Sequence, residues 1–269
     1  MLTHYTFALF ACLILFPLQE LPAEKLLFED RFEREESQER TEEIGGKWKT
    51  NSNSRADGNK QVDLKDGFIH VMRHPKADHA VSIVHPANYT NCRVEIRFKI
   101  NDKKDDLGID FADMKCKDVH AGHICKVFFR PNEVEIVDFK NGRMKKTYRD
   151  RLASGQVSAE EKQALKQWQH KANFETKLGQ WHDAVVLMTD TLIQVTIDGE
   201  LVAEFDSPGI GHANKDMIRF SARREVSLDD VAVYAFDVDE SLPKTSKPVK
   251  HLFVAKLLLR KFEQVGISD

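Results

Sequence analysis

The chain has 269 residues, of which 41% are hydrophobic and 31% are charged. This composition is that of an ordinary globular protein, and it excludes a disordered or collagen-like chain. The 40 lysines and arginines against 43 aspartates and glutamates leave a net charge of −3, so the chain lacks the positive field of a dedicated nucleic-acid binder.

The first predicted element is a targeting signal. Residues 7–16 (FALFACLILF) form an apolar run that is too short to span a bilayer, which needs about 20 residues, but suits the hydrophobic region of a secretory signal peptide. Residues 21–23 (LPA) provide a cleavage site, although the leading MLTHYT lacks lysine and arginine. The alternative is a buried N-terminal strand or helix. We expect residues 1–23 to be removed, and the mature chain to be secreted, periplasmic or in the cell envelope, without a membrane span.

Residues 24–240 have the pattern of a single β-rich domain. In residues 92–100 (CRVEIRFKI) apolar and charged side chains alternate, as in a strand with one face in the core and one in water. Turn dipeptides, such as those at residues 66–67 and 198–199 (both DG), separate further segments of this kind. Those segments are residues 64–72, 79–85, 107–111, 124–129, 134–139, 184–188, 192–197, 201–205, 217–222 and 226–234. The pattern predicts an all-β fold, a sandwich of two antiparallel sheets of the jelly-roll type.

A short helix is predicted between two of the strands. Ser158 and Glu161 are spaced as a capping box, in which both side chains accept hydrogen bonds from free N–H groups at a helix start. Ala164, Leu165 and Trp168 then form a short apolar stripe. The segment is therefore predicted to be a helical insertion in the sandwich.

The last segment, residues 241–269, is predicted to be a helical tail. Pro248 suits a first helical turn, and apolar residues then recur at helical spacing among lysines and arginines. Such a helix can dock on the sandwich or can contact a membrane surface or a partner, including a second copy of the chain.

Three cysteines remain after removal of the signal peptide. Cys116 and Cys125 lie nine positions apart on either side of a predicted turn. They form either a disulfide or, together with Cys92, a set of buried thiols that pack as small apolar side chains.

The segment at residues 116–125 (CKDVHAGHIC) has the densest group of metal-ligating side chains. His120 and His123, with Asp110 on the preceding strand, provide two imidazoles and a carboxylate. This set can hold a divalent ion and leave positions open for a substrate. A closed zinc site that adds both cysteines is an alternative, but its spacing matches no common zinc motif. The histidines of a purely structural loop are the other alternative.

Further histidines are candidates for proton transfer. His79 and His85 share one face of a predicted strand, where they can also simply cap an inward row of side chains. His212 and Lys215 lie in a predicted loop, where they can contact an oxyanion or a sugar hydroxyl, or can be solvated. All four residues are candidate catalytic groups.

The segment at residues 47–63 combines polar side chains with one aromatic residue. Sugar sites use this combination, because amides and charges bind hydroxyls while an aromatic face stacks on the ring. The alternative is a long loop held by its own hydrogen bonds. The candidate saccharide-binding residues are Trp48, Asn51, Arg55, Asn59, Lys60 and Gln61.

The order of several motifs resembles a known family. The motifs lie at residues 48–51 (WKTN), 58–64 (GNKQVDL), 78–82 (DHAVS), 120–123 (HAGH), 181–182 (WH), 198–199 (DG), 205–212 (FDSPGIGH), 215 (K) and 228–231 (LDDV). Their order is similar to that of the concanavalin A-like jelly roll of the 3-keto-disaccharide hydrolase type, in a secreted bacterial subgroup, over residues 26–236. That family is related in fold to family 16 glycoside hydrolases. The resemblance implies carbohydrate substrates and, in some members, a divalent ion that assists cleavage of oxidised sugars.

The acid pattern of a retaining family 16 glycosidase is not met. Such an enzyme needs two carboxylates about 5–5.5 Å apart, from alternate positions of one strand. Glu133 and Glu135 share a face, but Asp138 falls on the other face.

These observations predict an exported protein that handles a saccharide or polysaccharide. In the enzymatic version it is a metal-assisted hydrolase or lyase of oxidised saccharides, with the metal at His120, His123 and Asp110. The alternatives are a non-catalytic carbohydrate-binding module that uses the same face, and a structural or adhesive domain of the envelope.

Overall fold

The computed structural model describes residues 24–237, which form two packed antiparallel β-sheets. The predicted all-β sandwich is therefore confirmed. The predicted signal peptide at residues 1–23 and the predicted helical tail at residues 241–269 lie outside the described residues.

Fifteen strands and three α-helices make up the described domain. The strands are β1 (Lys25–Asp30), β2 (Lys49–Thr50), β3 (Val62–Lys65), β4 (Phe68–Met72), β5 (Val81–Tyr89), β6 (Asn91–Ile100), β7 (Leu107–Ala112), β8 (His123–Arg130), β9 (Glu133–Asp138), β10 (Gln169–Asn173), β11 (Trp181–Thr189), β12 (Leu192–Ile197), β13 (Glu200–Asp206), β14 (Lys215–Ala222) and β15 (Glu225–Phe236). The helices are α1 (Ser52–Arg55), α2 (Lys146–Ala153) and α3 (Ala159–Ala164), and single 3₁₀ turns cover His120–Gly122 and Leu165–Trp168.

The chain passes repeatedly between the two sheets. The first sheet has the order β13-β12-β11-β6-β15-β4-β3, with β1 also paired to β15. The second sheet has the order β10-β9-β8-β7-β14-β5-β2. Thus β14 of the second sheet is followed directly by β15 of the first sheet. The middle of the second sheet is formed by β7, which lies between β8 and β14.

Alternation along the strands divides the second sheet into an inner and an outer face. Leu107, Ile109 and Phe111 of β7 lie in the core between the sheets. Gly108 and Asp110 therefore point to the opposite side, which we call the outer face. All six residues of β7 are nevertheless buried, so other groups cover the outer face as well.

The predicted helical insertion is confirmed at α3. Ser158 Oγ accepts a hydrogen bond from Glu161 N at 3.2 Å, and Glu161 Oε2 accepts one from Ser158 N at 3.0 Å. The preceding helix, α2, was not predicted. It has no buried residue, so its sequence carries no apolar period that would reveal a helix.

Trp48 lies in the core rather than on an open surface, where the predicted stacking on a sugar would place it. Its residue exposure is 8%, and its ring contacts Phe28, Phe32, His85 and Phe220. Its indole Nε1 donates a hydrogen bond to Asp30 Oδ2 at 2.7 Å. The polar neighbours in sequence suggested an exposed ring, but the indole N–H is satisfied by the partly buried Asp30 while the ring packs against other rings.

Replacement of Trp48 with alanine separates a core role from a binding role. We expect Trp48→Ala to lower the free energy of unfolding by about 3–5 kcal/mol, because it removes a large buried ring and leaves a cavity. The partly exposed Trp181→Ala, on the surface of the first sheet, is the matched control and should lose less. Urea denaturation measures both. If Trp48→Ala kept its stability but lost saccharide binding, Trp48 would act by stacking on the sugar rather than by packing in the core.

Candidate functional site

An ionic cluster occupies the centre of the outer face. Asp110 on β7 lies opposite Lys126 on β8 and opposite Arg219 on β14 in the strand register. Its Oδ2 accepts hydrogen bonds from His123 Nδ1 at 2.5 Å and from Arg219 Nη1 at 2.9 Å. The same Arg219 nitrogen lies 3.2 and 3.4 Å from the two ring nitrogens of His123. One carboxylate therefore fixes both an imidazole and a guanidinium.

The carboxylate of Asp110 is fully buried and incompletely satisfied. Its exposure is 0%, and its Oδ1 has no hydrogen-bond partner among the described residues. Burial alone would raise the pKa of Asp110, but the interactions with His123 and with Arg219 hold that pKa below its ordinary value. Asp110 is thus an anion at neutral pH, and its Oδ1 can accept a further hydrogen bond.

Lys126 is the second deeply buried charge of the cluster. Its Nζ donates a hydrogen bond to Ser221 Oγ at 2.6 Å, and no carboxylate of residues 24–237 forms an ion pair with it. Burial lowers the pKa of Lys126, although Asp110 and Asp106 oppose the shift. Gly108 lies two positions before Asp110 on β7, and a Cβ at Gly108 would lie 2.2 Å from Lys126 Cε. The glycine therefore leaves the space into which the lysine folds.

Phe128 provides an aromatic surface beside these charges. Lys126 Nζ and Arg130 Cζ each lie 4.6 Å from the centre of its ring, and Arg143 Cζ lies 5.7 Å from it. Arg130 is neutralised by Glu135 at 2.7 Å and by Glu133 at 2.8 Å. Arg143 instead packs on a second ring, that of Phe139, at 5.0 Å. Lys126 and Arg143 are therefore cations held against an aromatic ring without a paired carboxylate among the described residues.

The cluster combines three chemical capacities on one face. With Nδ1 donating to Asp110, the neutral His123 ring has a lone pair on Nε2 and can take a proton. Lys126 and Arg219 can stabilise a developing negative charge on a substrate oxygen. Phe128 offers an apolar surface for a sugar ring. Buried charges of this kind are costly to a fold, and their concentration on one face is typical of a functional site.

The predicted proton-transfer residues are dispersed. His79 is exposed beside Asp78, and His85 is buried in the core, stacked on Phe28 at a ring distance of 3.7 Å. Lys215 is 1% exposed and donates to the carbonyl oxygens of His212 at 2.6 Å and Thr90 at 3.0 Å. Only His212 and Lys215 contact one another, and neither belongs to the outer-face cluster.

The polar residues of the predicted saccharide loop bond within the loop and to its immediate surroundings. Asn51 donates to Ala80 O and accepts from Ser82 N, while Gln61 is 3% exposed and donates to Ser52 Oγ. The other members behave in the same way: Arg55 pairs with Asp78, Asn59 donates to Ala56 O, and Lys60 pairs with Glu36 and Asp63. The segment is thus a loop held by its own hydrogen bonds, which is the alternative given in the sequence analysis. The structure does not support these residues as a sugar site.

The predicted metal ligands are only partly brought together. Asp110 and His123 are in contact, but His120 lies on an exposed 3₁₀ turn, and the three do not form a ligand group in residues 24–237. Arg219 already supplies a cation to the shared carboxylate. A divalent ion on Asp110 and His123 would be repelled by that guanidinium, so these residues do not fit a metal as they stand.

Two other ligand groups are present in the described part of the chain. Asp113, Cys116 and His212 form one of them, but Lys140 Nζ donates to His212 Nδ1 at 2.9 Å while Nε2 donates to Asp113. A metal on Nε2 would force a proton onto Nδ1, facing the ammonium. The second group, which is made by Glu36, Glu39 and Asp63, is already filled by the Lys60 ammonium.

The three cysteines within residues 24–237 are free thiols. Cys92 and Cys125 are buried and Cys116 is partly exposed. The alternative of a Cys116–Cys125 disulfide is therefore not adopted. Burial raises the pKa of Cys92 to about 12, so this thiol stays protonated at neutral pH.

Comparison with known proteins identifies the family. Residues 41–233 match the family model of the 3-keto-alpha-glucoside-1,2-lyase-like domain. The chain belongs to this family. The resemblance seen in the sequence motifs is thereby confirmed. A search of curated proteins found no match.

Several solved structures have a fold similar to that of this domain. The laminarinase from Rhodothermus marinus has a TM-score of 0.53 at 12% identity, over 81% of this chain and 100% of that chain. SCLam, a non-specific endo-beta-1,3(4)-glucanase from family GH16, has a TM-score of 0.52 at 12% identity, over 81% of this chain and 95% of that chain. Both likenesses establish a jelly roll like that of the family 16 glycoside hydrolases. None of the helices in residues 24–237 has the length and apolarity that crossing a bilayer would require.

This 3-keto-alpha-glucoside-1,2-lyase-like domain lacks a free pair of acids on β9. Glu133 and Glu135 are both paired with Arg130. Asp138 is fully buried, and its Oδ2 accepts from Ser207 Oγ at 2.6 Å and Gly209 N at 2.9 Å. Asp138 therefore ties a loop to the sheet, in agreement with the failed acid pattern in the sequence.

Replacement of Asp110 tests the electrostatics of the cluster. We expect Asp110→Asn to lower the free energy of unfolding at pH 7 by about 3 kcal/mol, because it leaves buried positive charge uncompensated. The folded-state pKa of Asp110 is lowered, so its stabilising effect is present above its unfolded value near pH 4 and is lost as the pH falls through the folded value. The difference between the two proteins should therefore shrink below about pH 4.

Thermal unfolding between pH 3 and pH 8 measures this difference. The exposed pair of Asp150 with Lys146 gives the control variant Asp150→Asn, which should change stability by less than about 0.5 kcal/mol. A difference between the wild type and Asp110→Asn that stays constant with pH would contradict the assigned ionisation.

Proposed function

We propose that this domain is an exported carbohydrate-active protein that binds a saccharide on its outer face and cleaves the glycosidic bond of a keto-sugar there. The observation that carries the proposal is the outer-face cluster, in which buried Asp110 accepts a hydrogen bond from His123 and buried Lys126 packs on Phe128. Membership of the 3-keto-alpha-glucoside-1,2-lyase-like family supports a keto-glucoside as the substrate class. Export is proposed from the apolar run at residues 7–16.

The chemistry starts at the carbon next to the ketone. A keto group acidifies the neighbouring C–H bond, because the electron pair released on deprotonation is delocalised onto the keto oxygen. His123 Nε2 accepts that proton, while Asp110 holds Nδ1 and stabilises the imidazolium. The Lys126 ammonium or the Arg219 guanidinium stabilises the enolate oxygen. The electron pair then returns from the enolate oxygen, a carbon–carbon double bond forms next to the ketone, and the bond to the glycosidic oxygen breaks. The leaving oxygen takes a proton from the His123 imidazolium and departs as an alcohol, which restores the neutral base.

A divalent ion is not needed to balance these steps. The enolate charge is met by protein cations, and Arg219 lies where an ion on Asp110 would otherwise bind. The family resemblance implies that a divalent ion assists cleavage in some members. A chelator distinguishes metal-assisted cleavage from cleavage that depends on the protein cations alone. Activity that survives chelation supports Lys126 and Arg219 as the electrophilic groups.

The decisive experiment measures turnover of 3-keto-α-glucosides and of their unoxidised counterparts, with and without chelator. We expect cleavage of the keto-sugars, and we expect His123→Gln to lower kcat by about 10²-fold or more with a smaller change in binding, since only proton transfer is lost. His70→Gln is the matched control, because His70 lies on the first sheet and pairs with Glu225.

Each outcome bears on the proposal. Absence of turnover and of binding for the whole panel contradicts it. Saccharide binding without turnover contradicts the cleavage step and indicates a non-catalytic binding module. Equal loss of activity in His123→Gln and His70→Gln would remove His123 from the role of base.

A further inference from the structure

A pocket adjoins the outer face beneath the helical insertion. It has a volume of about 260 Å³ and lies at the edge of the second sheet, between Val137 of β9 and the α3 segment. The remaining lining residues are Gly142, Arg143, Lys162, Leu165, Lys166, Trp168 and Gln169. This lining contains three cations, one indole and one amide, but no acid.

The three cations of the pocket have no directly paired acid among the described residues, although Glu135, which pairs with Arg130, also attracts Arg143. Arg143, Lys162 and Lys166 form no ion pair in residues 24–237. Nearby cations do: Lys171 pairs with Glu133, and Arg151 pairs with Glu161. The absence of acids is therefore a property of this pocket rather than of the insertion as a whole.

The placement of these cations brings like charges together beside the pocket. Lys162 and Lys166 are four residues apart along α3 and the following 3₁₀ turn, a spacing at which like charges on a helix repel. Arg143 packs on Phe128 and Phe139, and burial lowers its pKa. A guanidinium removed from water without an anion loses solvation that a bound oxyanion would replace.

The aromatic wall of the pocket is held in position by close packing. Gly142 lies where a Cβ would come within 2.5 Å of Asp138 O and 3.2 Å of Trp168 Cβ. The turn after β9 therefore requires glycine because of the Asp138 carbonyl oxygen, and the missing Cβ also leaves room for Trp168 close to the turn. The indole offers a face for a sugar ring and an N–H donor at its edge.

We propose that this pocket binds an oxyanion substituent, a carboxylate or a sulfate, on the saccharide. The inference rests on the proposed function, because Arg143 joins the pocket to Phe128 and so places the anion beside the sugar-binding face. The substrate class is then an acidic saccharide. A carboxylate and a sulfate share the chemistry of a fork of charged N–H donors, so the experiment compares them.

Binding of matched monosaccharides measures this preference. The probes are glucose, glucuronate and glucose 6-sulfate, titrated by calorimetry at low and moderate salt. We expect at least one anionic sugar to bind about tenfold or more tightly than glucose, which is the effect of one charge-assisted hydrogen bond. The advantage should fall as salt increases.

A double lysine variant assigns the preference to the pocket. Lys162 and Lys166 are exposed, so Lys162→Gln/Lys166→Gln should fold normally and lose the anionic preference. The control variant Lys117→Gln/Lys177→Gln removes the same amount of charge from two exposed lysines outside the pocket lining. It should keep the preference for anionic sugars. Equal affinity for all three sugars in the wild type, or an unchanged preference in Lys162→Gln/Lys166→Gln, overturns the inference.

The two proposals fail in different ways. Turnover of neutral 3-keto-glucosides together with no preference for anionic sugars contradicts the anion pocket alone. Pocket-dependent binding of an acidic sugar together with no turnover of any keto-sugar contradicts the cleavage step alone.

Discussion

The shared carboxylate of Asp110 is the constraint on which the candidate site depends. It lies on the middle strand of the second sheet, with the apolar core behind it and charged side chains in front. A fully buried carboxylate is tolerated only if cations and hydrogen-bond donors surround it, and here His123 and Arg219 do so. The position of the imidazole thus follows from the need to neutralise one buried charge.

The domain uses similar polar residues in two physically different ways. In the segment at residues 47–63 amides and charges bond to nearby backbone and side chains, so Asn51 and Gln61 have little capacity left for a ligand. On the outer face Lys126 is held on β8, and Arg143 is held in the turn between β9 and α2. Lys126 and Arg143 contact an aromatic ring rather than an acid. The side chains that can still bind a ligand are therefore the charged ones that form no ion pair with a neighbouring residue.

Several elements were predictable because their signals are local. The period-two alternation of residues 92–100 matches β6, and the capping box at Ser158 matches α3. The polar strand β10 (QHKAN) escaped prediction because it is an edge strand with little apolar burial. Trp48 was misplaced for the opposite reason, since its polar neighbours in sequence are not its neighbours in space.

The amino-acid sequence by itself determined the fold class, since alternation of apolar residues specifies which face of each strand is buried, and its motifs pointed to the family. It also singled out Asp110 and His123. Only the tertiary structure brought Lys126, Phe128, Arg143 and Arg219 to the same face. The reason is that β7 pairs with β8, the next strand along the chain, and also with β14, which is distant in sequence. No local pattern encodes which charges become neighbours through such pairing.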